Sequence, residues 1–521
     1  MKKTSYDPGT KKTRETPLSR RAFLRSAVAT ATAGCALVPV RALADDREVM
    51  AYSLDDAGNR KNYYTTDDAI HAGYEGNVIY LDVDWMFTGT MTVADSKSLT
   101  IDMNGHKITS QGGGAVIRMY EHSSLTLKGG ITKVIDYLGF DPSLGRKFWY
   151  GVRTGGLITG GYDISNGGGI RMDADSTLTL DNVAVAGNES SYDVTGGIYV
   201  KGNCTINMKN NAVVERNKGG AGGILVNGDD VNIFMDNAAI RNNYGTVYGG
   251  GLSSCADGTR IHLENGSTVC GNTAVSGGGL HFGYSFFNAV SDDGTGSVKN
   301  NYARTYDSVG GGGICVQEKK AAQNEGEIRG LTVSGNTSES DCGGIYMEQR
   351  WIQIKNCTIT DNESARRGGG AFIAAENVTM DSCTVTGNVC NSIYGGGGVY
   401  VAHGTDLNLV GLCKITGNTR GGDGSYDNLY ISTDGHAANS YFHGGIIEGS
   451  RVGLRSGFLD DRELGHNITY YADDTYFMDL ESEYRASHEG SSIYQRVSIS
   501  GGASVLYTDD DAGNDAEVTA A

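Results

Sequence analysis

The sequence predicts an all-β fold: a right-handed parallel β-helix solenoid of about 12–14 coils, three short strands per coil, with a short N-terminal capping helix. Three observations carry this. Gly is 78 of 521 residues while Pro is only 4, and 29 Tyr accompany them, a composition suited to many short strands joined by tight turns. A Gly-Gly pair followed by an apolar residue recurs every 26–34 residues, at Ile170, Ile198, Ile224, Leu252, Leu280, Ile314, Ile345, Ala371 and Val399. Between these pairs a β-branched residue stands three before an Asn, giving Asn188, Asn217, Asn243, Asn272, Asn301, Asn336, Asn362, Asn388 and Asn418.

Each unit alternates apolar and polar residues with period two and lacks a helical period. Ile198 and Val200 share one face and Tyr199 the other, and Leu178-Thr179-Leu180 alternates again in the middle of a unit. Stacking one coil per repeat pairs each strand in parallel with its equivalent, about 4.8 Å away. The usual crossover preference makes the coil right-handed. Gly supplies corner angles. The Asn tolerates a left-handed corner, and its amide can bond to the same Asn one coil away, which predicts a buried ladder.

Upstream, Val78–Leu81 and Leu99–His106 read as the first coils, and Thr66 to Glu75 as an amphipathic helix that caps the open end. Val134 to Tyr150 departs from the period and reads as a loop or excursion. The expected organisation is a signal peptide over 1–44, an N-terminal segment with the cap helix over 45–74 and the solenoid over 75–435. Irregular final coils or a small β cap over 436–508 and a disordered acidic tail over 509–521 complete it.

The first 44 residues combine a basic start, Ser19-Arg20-Arg21-Ala22-Phe23-Leu24, a mildly apolar stretch and Ala42-Leu43-Ala44. The arginine pair with Phe-Leu resembles the bacterial twin-arginine signal. The resemblance implies handling by the twin-arginine translocase, cleavage after Ala44, and an extracellular or cell-surface location in a bacterium. The net charge is −18, and removing nine basic and two acidic residues with the leader leaves −25. So acidic a chain is not expected to bind nucleic acid. The apolar stretch of the leader is too short and too rich in Ala and Thr for a good membrane span, and no second one follows.

The repeats resemble those of exported bacterial right-handed β-helix proteins, including the Gly-Gly-x-Ile and x-x-x-Asn units of polymorphic outer-membrane proteins, over roughly residues 75–435. That resemblance implies the fold. It leaves function open, because such solenoids serve both as adhesins and as polysaccharide-cleaving enzymes.

The residue after each Gly-Gly-apolar unit points away from the core. In successive coils this column ends in Tyr346, Phe372, Tyr400 and Tyr430, an aromatic stripe suited to stacking on sugar rings or to a protein partner. These four are the ligand-binding candidates; mutual stacking, or cover by a loop, is the alternative. The best acid/base group is Glu348, Asp361, Glu363 and Arg366, with Asp341, Arg350 and Arg367 beside it in sequence. His281 reads as a surface residue. Cys357, Cys383 and Cys413 share inward parity and should stack as buried thiols. No Cys pair has zinc-site spacing, and neither metal nor cofactor is expected. The expected function is a non-catalytic, adhesin-like surface or secreted protein that binds a glycan or a surface protein. The alternatives are a polysaccharide lyase or glycoside hydrolase, and a structural spacer.

Overall fold

The computed structural model describes residues 48–129 and, with gaps, 133–456, together with short strands between 469 and 516. Residues 1–47, which carry Arg20, Arg21 and Ala44, lie outside the described residues. The chain is a parallel β-solenoid with about ten turns, to which the expectation of 12–14 added less regular coils at either end.

One turn shows how the sequence builds the rest. Ile170–Met172, Thr177–Asp181 and Ala184–Ala186 are its three expected strands, and a two-residue strand, Glu189–Ser190, follows the ladder Asn. These are called here the first to fourth stretches. Each stacks in parallel on its equivalent: Ile170 on Ile198, Leu178 on Ile206, Val185 on Val214 and Glu189 on Lys218. Alternation sends Ile170, Met172, Leu178, Leu180 and Val185 inward, where all are fully buried in one continuous core. The burial of these side chains, at roughly 1.5–3 kcal/mol each, is what stabilises a coil that alone could bury little.

The glycines act less through corner angles than through close approach. A Cβ on Gly250 would lie 2.4 Å from the carbonyl oxygen of Gly278 and 2.6 Å from the amide nitrogen of Thr273, both in the next turn. The Gly pair therefore marks where two backbones touch. The glycine before the pair has a separate task. Gly396 adopts φ 77°, and a Cβ there would sit 2.6 Å from the Cβ of Tyr400.

The Asn column forms a continuous hydrogen-bonded ladder. Asn217 Nδ2 donates to Asn243 Oδ1 at 3.1 Å and to the Val185 carbonyl at 3.0 Å, and the Asn217 amide also donates to Asn243 Oδ1 at 3.0 Å. The same pattern runs to Asn418, which bonds through Nδ2 to Asn428 Oδ1 at 3.0 Å. Asn428 stands where earlier turns have the second glycine of the pair, and it ends the ladder.

At the N-terminal end, helix α1 (Thr66–Tyr74) is capped by Thr65, whose hydroxyl accepts from the Asp68 amide at 3.1 Å. Its Ala69, Ile70, Ala72 and Gly73 are buried. An antiparallel pair, Ala51–Leu54 with Arg60–Tyr63, adds to Val78–Leu81 and leaves Arg60 and Lys61 exposed on the last edge. Charged edges of this kind discourage further strand pairing. The excursion is an antiparallel hairpin, Lys133–Asp141 with Arg146–Thr154.

Beyond Ile431 the coils continue irregularly. Tyr441–Ile446 pairs in parallel with Asp406–Gly411, and Thr469–Ala472 with Tyr441–Gly444. In the expected acidic tail, Asp515–Ala516 pairs back on Thr508–Asp509. Its other residues after Asp509 lie outside the described residues. No helix among the described residues is long and apolar enough to cross a membrane.

Candidate functional site

The aromatic stripe lies outside the main core, as parity requires, but it is not accessible. Tyr346, Phe372 and Tyr400 are 6%, 3% and 3% exposed. Their rings stack at 5.0 Å with interplanar angles of 3° and 4°, and Tyr430 follows at 5.3 Å. With Cys315 and Cys342 they form a second, smaller core. Two things cover them. The chain entering each Gly triplet crosses the outer side of the first stretch, as the contact of Gly396 with Tyr400 shows. The Arg367 guanidinium lies 5.0 Å from the Phe372 ring and 5.3 Å from that of Tyr400, held by two bonds to Asp341 at 2.9 and 2.7 Å. The stripe is a packing feature, and the alternative of mutual stacking under cover describes it.

His281 is corrected in the same way. It is 1% exposed, stacked on Tyr248 at 4.6 Å, with Nδ1 3.4 Å from Ser253 Oγ and Nε2 3.3 Å from Gln317 Oε1. Burial lowers its pKa from 6.5 to about 4, against the opposing bond from Gln317. Unfolded His281 takes up a proton below about 6.5 and folded His281 only below about 4, so stability complete above that interval falls as the pH drops through it. Denaturant unfolding at neutral and mildly acid pH should show this loss. His281→Phe should remove most of it, and an unchanged acid limb in that variant would show that His281 is not its source.

The acid/base candidates do not converge. Tyr346 Oη donates to Glu348 Oε1 at 2.6 Å, just after a first stretch. Asp361 and Glu363 flank the ladder Asn after a third stretch, both exposed, and Glu363 accepts from Asn391 Nδ2 at 2.6 Å. Arg366 is exposed further on. Among the described residues no hydrogen bond or ion pair joins Glu348 to Asp361, Glu363 or Arg366. Cys357, Cys383 and Cys413 are each 1% exposed within the main core, and all nine described cysteines are free thiols.

The open surface is instead the outer side of the second stretch. Its residues are Thr and Asn in the turns before Phe234, which is 42% exposed there and stacks on His262 of the next turn at 4.9 Å. Sequence reasoning passed over Phe234, although the alternation Ile233-Phe234-Met235 marks it as outward. A column of polar side chains runs beside the pair: Asn232, Arg260, Asn288, Glu327 and Gln353, one per turn.

His262, Glu264 and Asp292 bring three metal-capable atoms within 4.8 Å of one another. Both carboxylates already hold the turn. Glu264 accepts from the amides of Asp292 and Asp293 at 2.8 and 3.0 Å, and Asp292 Oδ1 accepts from Arg329 at 2.6 Å. The arrangement therefore works as a turn clamp that holds the polar column beside Phe234. Comparison with protein-family models, curated proteins and solved structures finds no match to this chain.

Proposed function

We propose that this chain is an exported bacterial protein of the right-handed β-helix, adhesin-like type, and that it binds a glycan without cleaving it. The observation that supports this reading best is the exposed Phe234–His262 stack beside a column of amide, guanidinium and carboxylate side chains. Aromatic faces take the C–H side of a sugar ring, and flanking polar groups meet its hydroxyls. The buried stripe moves the binding role from Tyr346, Phe372, Tyr400 and Tyr430 to this face. The separation of Glu348 from Asp361 and Glu363 supports binding over turnover. A glycan array followed by size analysis of the retained glycans tests it. Retention that Phe234→Ala weakens by about tenfold, with chain lengths unchanged, is expected. Shortened chains, with shortening abolished by Glu348→Gln or Asp361→Asn, would reverse the assignment in favour of a lyase or hydrolase.

Export by the twin-arginine translocase belongs to the same proposal. Lysine at both Arg20 and Arg21 should hold the precursor in the cytosol, and the exported form should begin at Asp45. Normal export of the double variant would exclude that route.

A further inference from the structure

The same face carries a conformational anomaly. In turn after turn, the residue three positions before the central inward residue of the second stretch is left-handed. It is Ser96, His122, Asp175, Asn203, Asp230, Gly258 and Asn377, with φ between 55° and 76°. Most are Gly or the short polar types that accept this region. At Trp351 the position holds the largest side chain there is, at φ 62°, and leaves it 43% exposed. The turn itself is conventional: the Trp351 amide donates to the Glu376 carbonyl as Asn203 donates to that of Asp229. A bulky residue held in a strained turn, with 43% of its surface left in solvent, offers a ring face to a ligand.

Trp351 borders the same sheet as Phe234, four turns further on. The register steps from Asn232–Asp236 through Thr259–Glu264, Phe287–Val290 and Gly326–Arg329 to Ile352–Lys355. At about 4.8 Å per turn the two aromatics stand about 19 Å apart along the axis, and Trp351 occupies the register position of Asp230, four residues before that of Phe234, so the line between them runs obliquely across the sheet, beyond the reach of a disaccharide. The column from Asn232 to Gln353 fills that interval, and outside it the same column returns to Thr177, Thr205 and Thr379. Three arginines in and beside the strip are paired. Arg260 pairs with Asp230 at 3.5 Å, Arg329 with Asp292 at 2.6 Å and Glu327 at 3.3 Å, and Arg350 with Glu376 at 3.4 Å. Such pairs offer polarised donors and acceptors, on a chain of net charge −18.

We infer that this strip holds one linear, uncharged polysaccharide that crosses the stacked turns obliquely, with one ring on Phe234 and another on Trp351. The inference rests on the glycan-binding reading above and names its ligand class. The full chain is titrated with cello-, manno-, chito- and xylo-oligosaccharides from disaccharide to decasaccharide, with polygalacturonate and hyaluronan as anionic probes. Affinity for at least one neutral series should rise by about tenfold or more once the oligomer spans both aromatics. Either Phe234→Ala or Trp351→Asn should abolish the rise. Trp351→Asn should also raise the melting temperature, since Asn accepts the left-handed turn, so lost binding is not lost folding. A lowered melting temperature would make Trp351 structural and overturn the inference. Binding confined to the anionic probes would overturn it too. Length-independent binding that ignores both variants overturns the strip but leaves the glycan-binding reading standing. Retention of no neutral series overturns the strip, and the broader array then decides that reading separately.

Discussion

Asn388→Ala is expected to lower the unfolding free energy by about 2–6 kcal/mol, the sum of two buried groups left without partners at about 1–3 kcal/mol each. Asn388 is 0% exposed. Its Oδ1 accepts from the Asn362 amide at 3.0 Å and from Asn362 Nδ2 at 2.9 Å. Its Nδ2 donates to the Ile359 carbonyl at 2.9 Å, the Thr386 carbonyl at 3.1 Å and Asn418 Oδ1 at 2.8 Å. Alanine removes all five bonds at once. A solenoid is held mainly by contacts between neighbouring turns, so the loss falls on two interfaces together. Asn391, three residues on, is exposed and makes one side-chain bond, to Glu363. Asn391→Ala should change stability by less than about 0.5 kcal/mol. Urea unfolding of the two variants compares them directly, and equal losses would remove the ladder from the account of stability.

Phe372→Ala should cost about 3–5 kcal/mol, the range for truncating a buried Phe. The ring is sandwiched between Tyr346 and Tyr400 at 5.0 Å on each side and lies beneath Arg367. Its removal opens a cavity in the smaller core and takes away one of the two rings under a guanidinium whose position depends on Asp341. An accessible ligand stripe would behave in the opposite way, losing binding while the fold held. Calorimetry on Phe372→Ala separates the two. A variant that melts like the parent but no longer retains glycan would restore Tyr346, Phe372, Tyr400 and Tyr430 as the site.

Much of the fold was legible because stacking imposes a translational repeat, and a translational repeat must show in the sequence. Ile170, Leu178 and Val185 mark inward positions by parity alone. The ladder Asn is legible for the same reason: each one has to present its amide to the next, so it returns once per turn. Asn428 was not legible as a ladder member, because it follows Asn418 by ten residues and stands where earlier turns carry glycine. The fourth stretch was too short to announce itself by alternation.

The candidate site shows where that logic stops. Period-two alternation determines whether a side chain points into the coil or out of it, so the sequence by itself determined that Phe372, His281 and Phe234 all point outward. It could not determine which of them meet solvent. That depends on where the chain travels after it leaves the fourth stretch, and here it returns across the first face. Phe372 and His281 are thereby covered at 3% and 1% exposure, while Phe234 on the second face remains open at 42%. The left-handed turn at Trp351 is likewise invisible in its own residue type, since a bulky side chain gives no sign of positive φ. Orientation is a local property of the strand and is written in neighbouring residues. Exposure is a property of the whole path, and only the tertiary structure decides it.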